Sequence, residues 1–277
     1  MSDADLHLNT LTRDFLARLP AGRVAGKQLY RAPDGGVLGD WFGLTLSSAF
    51  QPIVDSLTGR VAGREAFLRS GGPEDQGLSP WTLFSTAADD ARVIGLDRLA
   101  RTVHLLNALV AGNDAPLFLN VHGRLLAAVA DDHGRAFRRV VDALGVPPDS
   151  IVIETPVEAS DQPDLLAFVL RNYRNNGFRV AVNVESPAQW QNISTTVWPQ
   201  FVKIDSRKLG RGNEARERLK WLSALREDAT LIVTHIEEGP EDYAAEHTLL
   251  QGYALGYPAA GIADERVEAR AAEAAPT

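Results

Sequence analysis

Cysteine is absent from these 277 residues and methionine occurs once, so disulfides and thiolate metal sites are closed to the chain, as suits a reducing compartment. No apolar run reaches the roughly eighteen residues that a membrane-spanning helix needs. No apolar region follows Met1-Ser2-Asp3-Ala4-Asp5 either, so a soluble, cytoplasmic protein without a signal peptide is expected. Positive charge is scarce: 28 Lys and Arg stand against 36 Asp and Glu, for a net charge of −8. Without a basic block, direct nucleic-acid or membrane binding through phosphates is excluded. A small anionic ligand would have to be met by individually placed Arg and Lys.

What is present is a chain that is 45% hydrophobic and long enough for one large, well-buried domain. Short apolar runs (Phe50-Val54, Val61-Leu68, Pro116-Val121, Ser150-Ile153, Phe178-Val182, Phe201-Ile204, Thr230-Val233, Gln251-Leu255) alternate with stretches of helical periodicity. The latter are Leu96-Ala111, Arg135-Leu144, Leu165-Asn175, Glu214-Arg226 and Glu241-Leu250. That is the βα alternation of a parallel barrel or sheet. Six residues, Asp55 to Arg60, join the first two runs, too few for a parallel crossover, so that pair is antiparallel. Polar residues at the strand ends favour a barrel with one reversed strand over an open sheet.

The flanks differ. Leu8, Leu11, Phe15 and Leu19 predict an amphipathic helix over 3–19, stopped by Pro20 and Gly22, which either caps the main domain or docks a partner or second copy. The Gly-rich stretch through Gly35, Gly36 and Gly39 reads as linker or surface loop. The expected division is an N-terminal helix and linker (1–40), the main domain (41–263) and a frayed or disordered tail (264–277).

Five separated segments end in polar residues: Glu65-Ala66-Phe67-Leu68-Arg69, Leu119-Asn120, Ile153-Glu154, Lys203-Ile204-Asp205 and Gln251-Gly252-Tyr253. Each alone is weak, since a strand-end Glu is more often a rim ion pair and Asn120 suits a helix cap. Together with Phe50-Gln51-Pro52-Ile53-Val54 and Pro258, in this order over about residues 43–262, they resemble the EAL domain. Members of that family hydrolyse cyclic di-GMP to linear pGpG or bind it uncleaved.

The resemblance implies an α/β fold, an EAL-type TIM-like (βα)8 barrel with one antiparallel strand. It implies metal ligands at Glu65, Asn120 and Glu154, and support of the attacking water by Lys203 and Glu238. Dinucleotide contacts are implied at Gln51, Arg69 and Asp97, joined by Gln251 and Pro258. Cleaving a phosphodiester in this way needs two hard cations about 3.5–4 Å apart, held by oxygen ligands.

At the expected Asp-Asp pair the chain has Asn183 and Val184, and at an expected catalytic Glu it has His235. Asn183 offers one neutral oxygen, His235 suits a softer metal, and Val184 offers nothing. Phe67 stands for a Leu and Tyr257 for an Arg beside the pocket, where either ring would stack on a guanine or fill its place. The following loop begins Glu185-Ser186-Pro187-Ala188 and is flanked by Trp190 and Trp198, aromatics suited to a partner surface.

A catalytically inactive member is therefore expected, a cyclic di-GMP receptor or regulatory protein-interaction module in bacterial signalling. No metal is required, although residual magnesium or manganese binding is allowed. A regulatory protein partner and a homodimer are the expected assemblies. The alternatives are a weak phosphodiesterase using Glu65, Asn120, Glu154 and Lys203 with one metal, and a regulator that has abandoned the nucleotide.

Overall fold

The computed structural model describes residues 7–71, 79–85, 87, 89–128 and 134–262; the expected tail, 264–277, lies outside them. In chain order the elements are α1 (Thr10–Ala17), β1 (Leu29–Arg31), β2 (Val37–Trp41), β3 (Leu44–Asp55), β4 (Val61–Ser70), α2 (Pro80–Ser85), α3 (Asp90–Val110), β5 (Leu117–Asn120) and α4 (Gly123–Ala128). They continue with α5 (Arg135–Ala143), β6 (Ile151–Thr155), α6 (Pro163–Asn175), β7 (Arg179–Val184), α7 (Pro187–Ile193), β8 (Phe201–Asp205), α8 (Gly212–Leu225), β9 (Thr230–Thr234) and β10 (Thr248–Leu250). Local chemistry sets several boundaries: Asp89 caps α3 by accepting from the Arg92 amide, and Ser186 caps α7 by accepting from Gln189 with Pro187 at its first turn.

Eight strands close into a barrel in the order β3-β10-β9-β8-β7-β6-β5-β4, with β4 returning to β3. Only β3 runs against its neighbours, antiparallel to both β4 and β10, and the remaining neighbours are parallel. This is the α/β, TIM-like barrel with one reversed strand that the six-residue connection demanded. Alternate residues point into it. Ile53, Phe118, Val152, Ala181, Ile232 and Leu249 form an apolar plug, while Ile153, Val180, Val182, Ile204 and Val233 pack outward against the helices.

Two readings of the flanks are corrected. The stretch taken as linker contains β1 and β2, which extend the sheet beyond β3 through the register Gly39↔Leu46 to Trp41↔Leu44. Trp41, Leu46, Leu68, Leu96, Leu99 and Val103 give this extension its own core against α3. The N-terminal helix is shorter than 3–19. Asn9 caps it at the Thr12 amide, and residues 1–6 lie outside the described ones. Leu8 and Leu16 are buried in the main core, and Thr12 Oγ1 donates to the Leu144 carbonyl at 2.8 Å. The helix thus caps the domain and does not stand free for docking.

The final strand is also misplaced in the sequence reading. It lies at Thr248–Leu250, before Gln251 instead of after it, and a 3-10 turn at Pro240–Tyr243 takes the place of the expected helix.

Candidate ligand site at the barrel mouth

Above the apolar plug the next inward-facing positions are polar, because each strand places there the residue two beyond its plug residue: Asn120 after Phe118, Glu154 after Val152, Asn183 after Ala181 and Gln251 after Leu249. Glu154, Asn183 and Gln251 border a cavity of about 330 Å³ lined also by Gln51, Glu65, Arg69, Lys203 and Pro258, together with Phe67, Thr234, His235, Glu237, Gly252 and Tyr253. Eight of the expected site residues therefore share one cavity. Gly252 is demanded by close approach, since a Cβ there would meet the Ile236 carbonyl oxygen at 2.1 Å.

The centre is a closed hydrogen-bond network. Lys203 Nζ donates to Glu65 Oε2 at 2.5 Å and to Glu154 Oε1 and Oε2 at 3.0 and 2.8 Å. Asn120 and Gln251 donate to the Glu65 oxygens at 2.7 and 2.8 Å. Asn183 Nδ2 donates to Glu154 Oε1 at 2.8 Å and to the Thr155 carbonyl at 2.9 Å. Both partners of Asn183 are pure acceptors, so its nitrogen must face them.

Burial pushes against every charge here, yet the Glu154 and Glu65 carboxylates hold the Lys203 ammonium above its usual range. For Glu65 burial is outweighed by Lys203 and by the bonds from Lys203, Asn120 and Gln251, which keep its carboxyl low. Glu154 goes the other way, pushed up by burial and by the charge of Glu65 against the pull of Lys203 and Asn183.

A two-cation centre does not fit these residues. The donors of Lys203 and Asn183 already occupy Glu154. Val184 is buried among the outward-facing core side chains. His235, at φ 57, turns a largely exposed ring toward Asp205, with Nδ1 3.5 Å from Oδ2 and 3.0 Å from Thr234 Oγ1. Among the described residues no three His, Asp or Glu side chains converge to hold a metal.

Several expected contacts lie elsewhere. Asp97 is 2% exposed, ion-paired with Arg101, and accepts from the His122 amide. It does not line the cavity, because α3 turns it toward Arg101 and the backbone after β5. Glu238 is 83% exposed and 3.9 Å from Arg211; the strained turn at His235 brings Glu237 to the cavity instead. Asn120 reaches the site only through Glu65. The His122 ring stacks on Phe84 at 4.4 Å, outside the cavity. Gln51 is drawn into the protein: its Nε2 donates to the Gly256 carbonyl and its oxygen accepts from Gln251.

Arg69 remains exposed at the mouth, its guanidinium 5.9 Å from the Phe67 ring. Tyr253 and Tyr257 stack at 4.5 Å on the rim. Sequence reasoning missed Thr234 and Glu237, and only the placement of β9 would have found them.

The site is thus a reversed-strand barrel with two carboxylates, a lysine and three amides converging at its strand ends. The family model described as "EAL domain" matches residues 44–258, and the chain belongs to that family. No curated protein matches the sequence.

Among solved structures the chain is similar to the EAL enzyme Bd1971 in its cAMP- and cyclic-di-GMP-bound form, at 18% identity and TM-score 0.62, covering 77% of this chain and 62% of that one. It is similar to the Xanthomonas citri FimX EAL domain in complex with c-diGMP, at 15% identity and TM-score 0.65, covering 80% and 91%. A manganese/cy-diGMP complex of Klebsiella pneumoniae BlrP1 matches at 21% identity and TM-score 0.64, covering 88% and 60%. The chain thus spans less than two thirds of the length of Bd1971 and BlrP1. At these identities the likeness is one of fold.

Proposed function

We propose that this protein is a catalytically inactive, degenerate EAL domain that acts in bacterial signalling as a receptor for cyclic di-GMP. The observation that carries the reading is the Asn183 amide, which donates into Glu154 and the Thr155 carbonyl where a bridging carboxylate would be needed. Two buried carboxylates are satisfied by Lys203 and three amides, so the polar layer is complete without a divalent cation. One-metal hydrolysis would require the metal to displace Lys203 from both of its partners. Ligand recognition is a separate matter and rests on the open cavity, the exposed Arg69 and the aromatic rim of Phe67 and Tyr253. Binding of cyclic di-GMP by the similar FimX domain is consistent with this.

Calorimetric titration with cyclic di-GMP in the presence of chelator, with pGpG followed chromatographically in magnesium or manganese, tests the reading. Binding without metal and without turnover is expected. Arg69→Ala should weaken binding by roughly 1.5–3 kcal/mol, the range for a charge-assisted hydrogen bond. Steady pGpG formation lost on Glu65→Ala would overturn inactivity.

A second reading, a regulator that binds a protein partner without nucleotide, draws on the internal engagement of Gln51 and Asp97. Absence of heat in the same titration favours it.

A further inference from the structure

A second cavity, about 310 Å³, lies on the outer helical layer between the C-terminal half of α6 and the segment leading into β8. Its floor is apolar, from Ala167, Leu170 and Val197, and its wall carries Arg171, Arg174 and Trp198. In a chain of net charge −8 this is a local concentration of positive charge. Arg174 donates to the Trp198 carbonyl at 3.1 Å, and Arg226 lies over the Trp198 ring at 5.4 Å while paired with Asp228. Among the described residues neither Arg171 nor Arg174 forms a close ion pair, although the charge of Arg174 acts on the nearby Asp228 carboxylate.

The tryptophan is 50% exposed, yet both its backbone and its ring are held in place. A large, half-exposed aromatic held in place beside the exposed Arg171 and Arg174 is a preorganised anchor that would release water on being covered. One face of the ring is already taken by Arg226, which disfavours a stacked nucleobase. The aliphatic floor beside two guanidinium groups instead suits a peptide bearing carboxylates around an apolar side chain.

We propose that this groove docks an acidic segment of a partner protein, with Trp198 and the floor taking an apolar side chain and Arg171 and Arg174 pairing with flanking carboxylates. The proposal extends the regulatory reading above to a surface separate from the barrel mouth.

The test uses the full chain and fluorescence anisotropy with a short labelled peptide of glutamates interrupted by leucine and phenylalanine, against the same peptide with lysines for glutamates. Only the glutamate peptide should bind, and Arg171→Glu and Trp198→Ala should each weaken it by roughly tenfold or more, as anchor residues do. Both side chains are solvent-facing, and circular dichroism verifies the fold. Cyclic di-GMP titration of these variants should be unchanged, which separates failure of this surface from failure of the receptor reading. Equal binding of the two peptides, or unaltered affinity in both variants, overturns the proposal. So does sedimentation showing self-association of the wild type that Arg171→Glu abolishes, since the groove would then hold a second copy.

Discussion

Asn183 decides more about this site than any other side chain. An amide there donates to Glu154, whereas a carboxylate would face Glu154 and the Thr155 carbonyl with like partial charge. Asn183→Asp should therefore lower the stability of the metal-free protein by about 2–4 kcal/mol, the cost of losing a buried bond to a charge and adding an unpaired one. Manganese or magnesium should restore part of that loss, because a cation bound only by the folded state stabilises it. Thermal melting of both proteins with and without manganese checks this. A variant that melts like the wild type and ignores the metal would show that Asn183 is not what keeps cations out.

At the scale of elements, two features singled out for docking, Trp190 and the N-terminal helix, are structural. Trp190 is 0% exposed, and its Nε1 donates to the Leu222 carbonyl at 3.3 Å, so it pins α7 against α8. Trp190→Ala should cost about 3–5 kcal/mol by cavity formation, and deletion of residues 1–19, which strips Leu8 and Leu16 from the core, should also lower the denaturation midpoint. Urea titrations measure both, and an unchanged midpoint in either variant would restore its docking role.

The α3–β3 contact carries a pH dependence. His104 on α3 is buried, with Nδ1 2.8 Å from Ser48 Oγ on β3, and burial together with the charge of Arg69 pushes its pKa down to about 3. Unfolded, the ring titrates near about 6.5. Between those values the unfolded chain binds a proton that the folded one refuses. Stability is therefore full above about pH 6.5 and falls as pH drops toward 3, by up to about 1.4 kcal/mol per unit from this group. His104→Leu should flatten the wild-type slope between pH 6.5 and 4, with Ser48 still held by Asn107 at 3.2 Å. Parallel slopes in the two proteins would mean that carboxylates alone drive the loss.

For the whole molecule, the barrel was legible because short, continuous apolar runs ending in polar residues alternate with stretches of helical periodicity, and the polar layer sits at those strand ends. What escaped the sequence depends on backbone direction. β1 and β2 are short, and the glycines beside them suggested loop. The left-handed turn at His235 exchanged Glu238 for Glu237, and Gly252 and the turn after it made the apolar stretch past Gln251 look like strand. Asp97 could be assigned only once α3 showed which face it turns inward, and Trp190 and Trp198 sit in one segment with opposite fates.

Net charge also acts at this scale. Around the mouth Glu65, Glu154 and Glu237 outnumber Lys203 and Arg69, and the chain carries −8 overall. A ligand with two phosphates thus approaches against a repulsive field before it reaches Arg69. Salt at about 0.1 M screens charges beyond about 10 Å, so it should weaken that long-range repulsion more than the contact at Arg69. Cyclic di-GMP affinity should consequently rise as ionic strength goes from about 0.01 to about 0.1 M, opposite to ordinary phosphate recognition by a basic surface. Arg69→Glu should steepen the rise while weakening binding throughout. A wild-type affinity that falls steadily with salt would place the ligand in a locally positive field that the arrangement of Glu65, Glu154 and Glu237 does not provide.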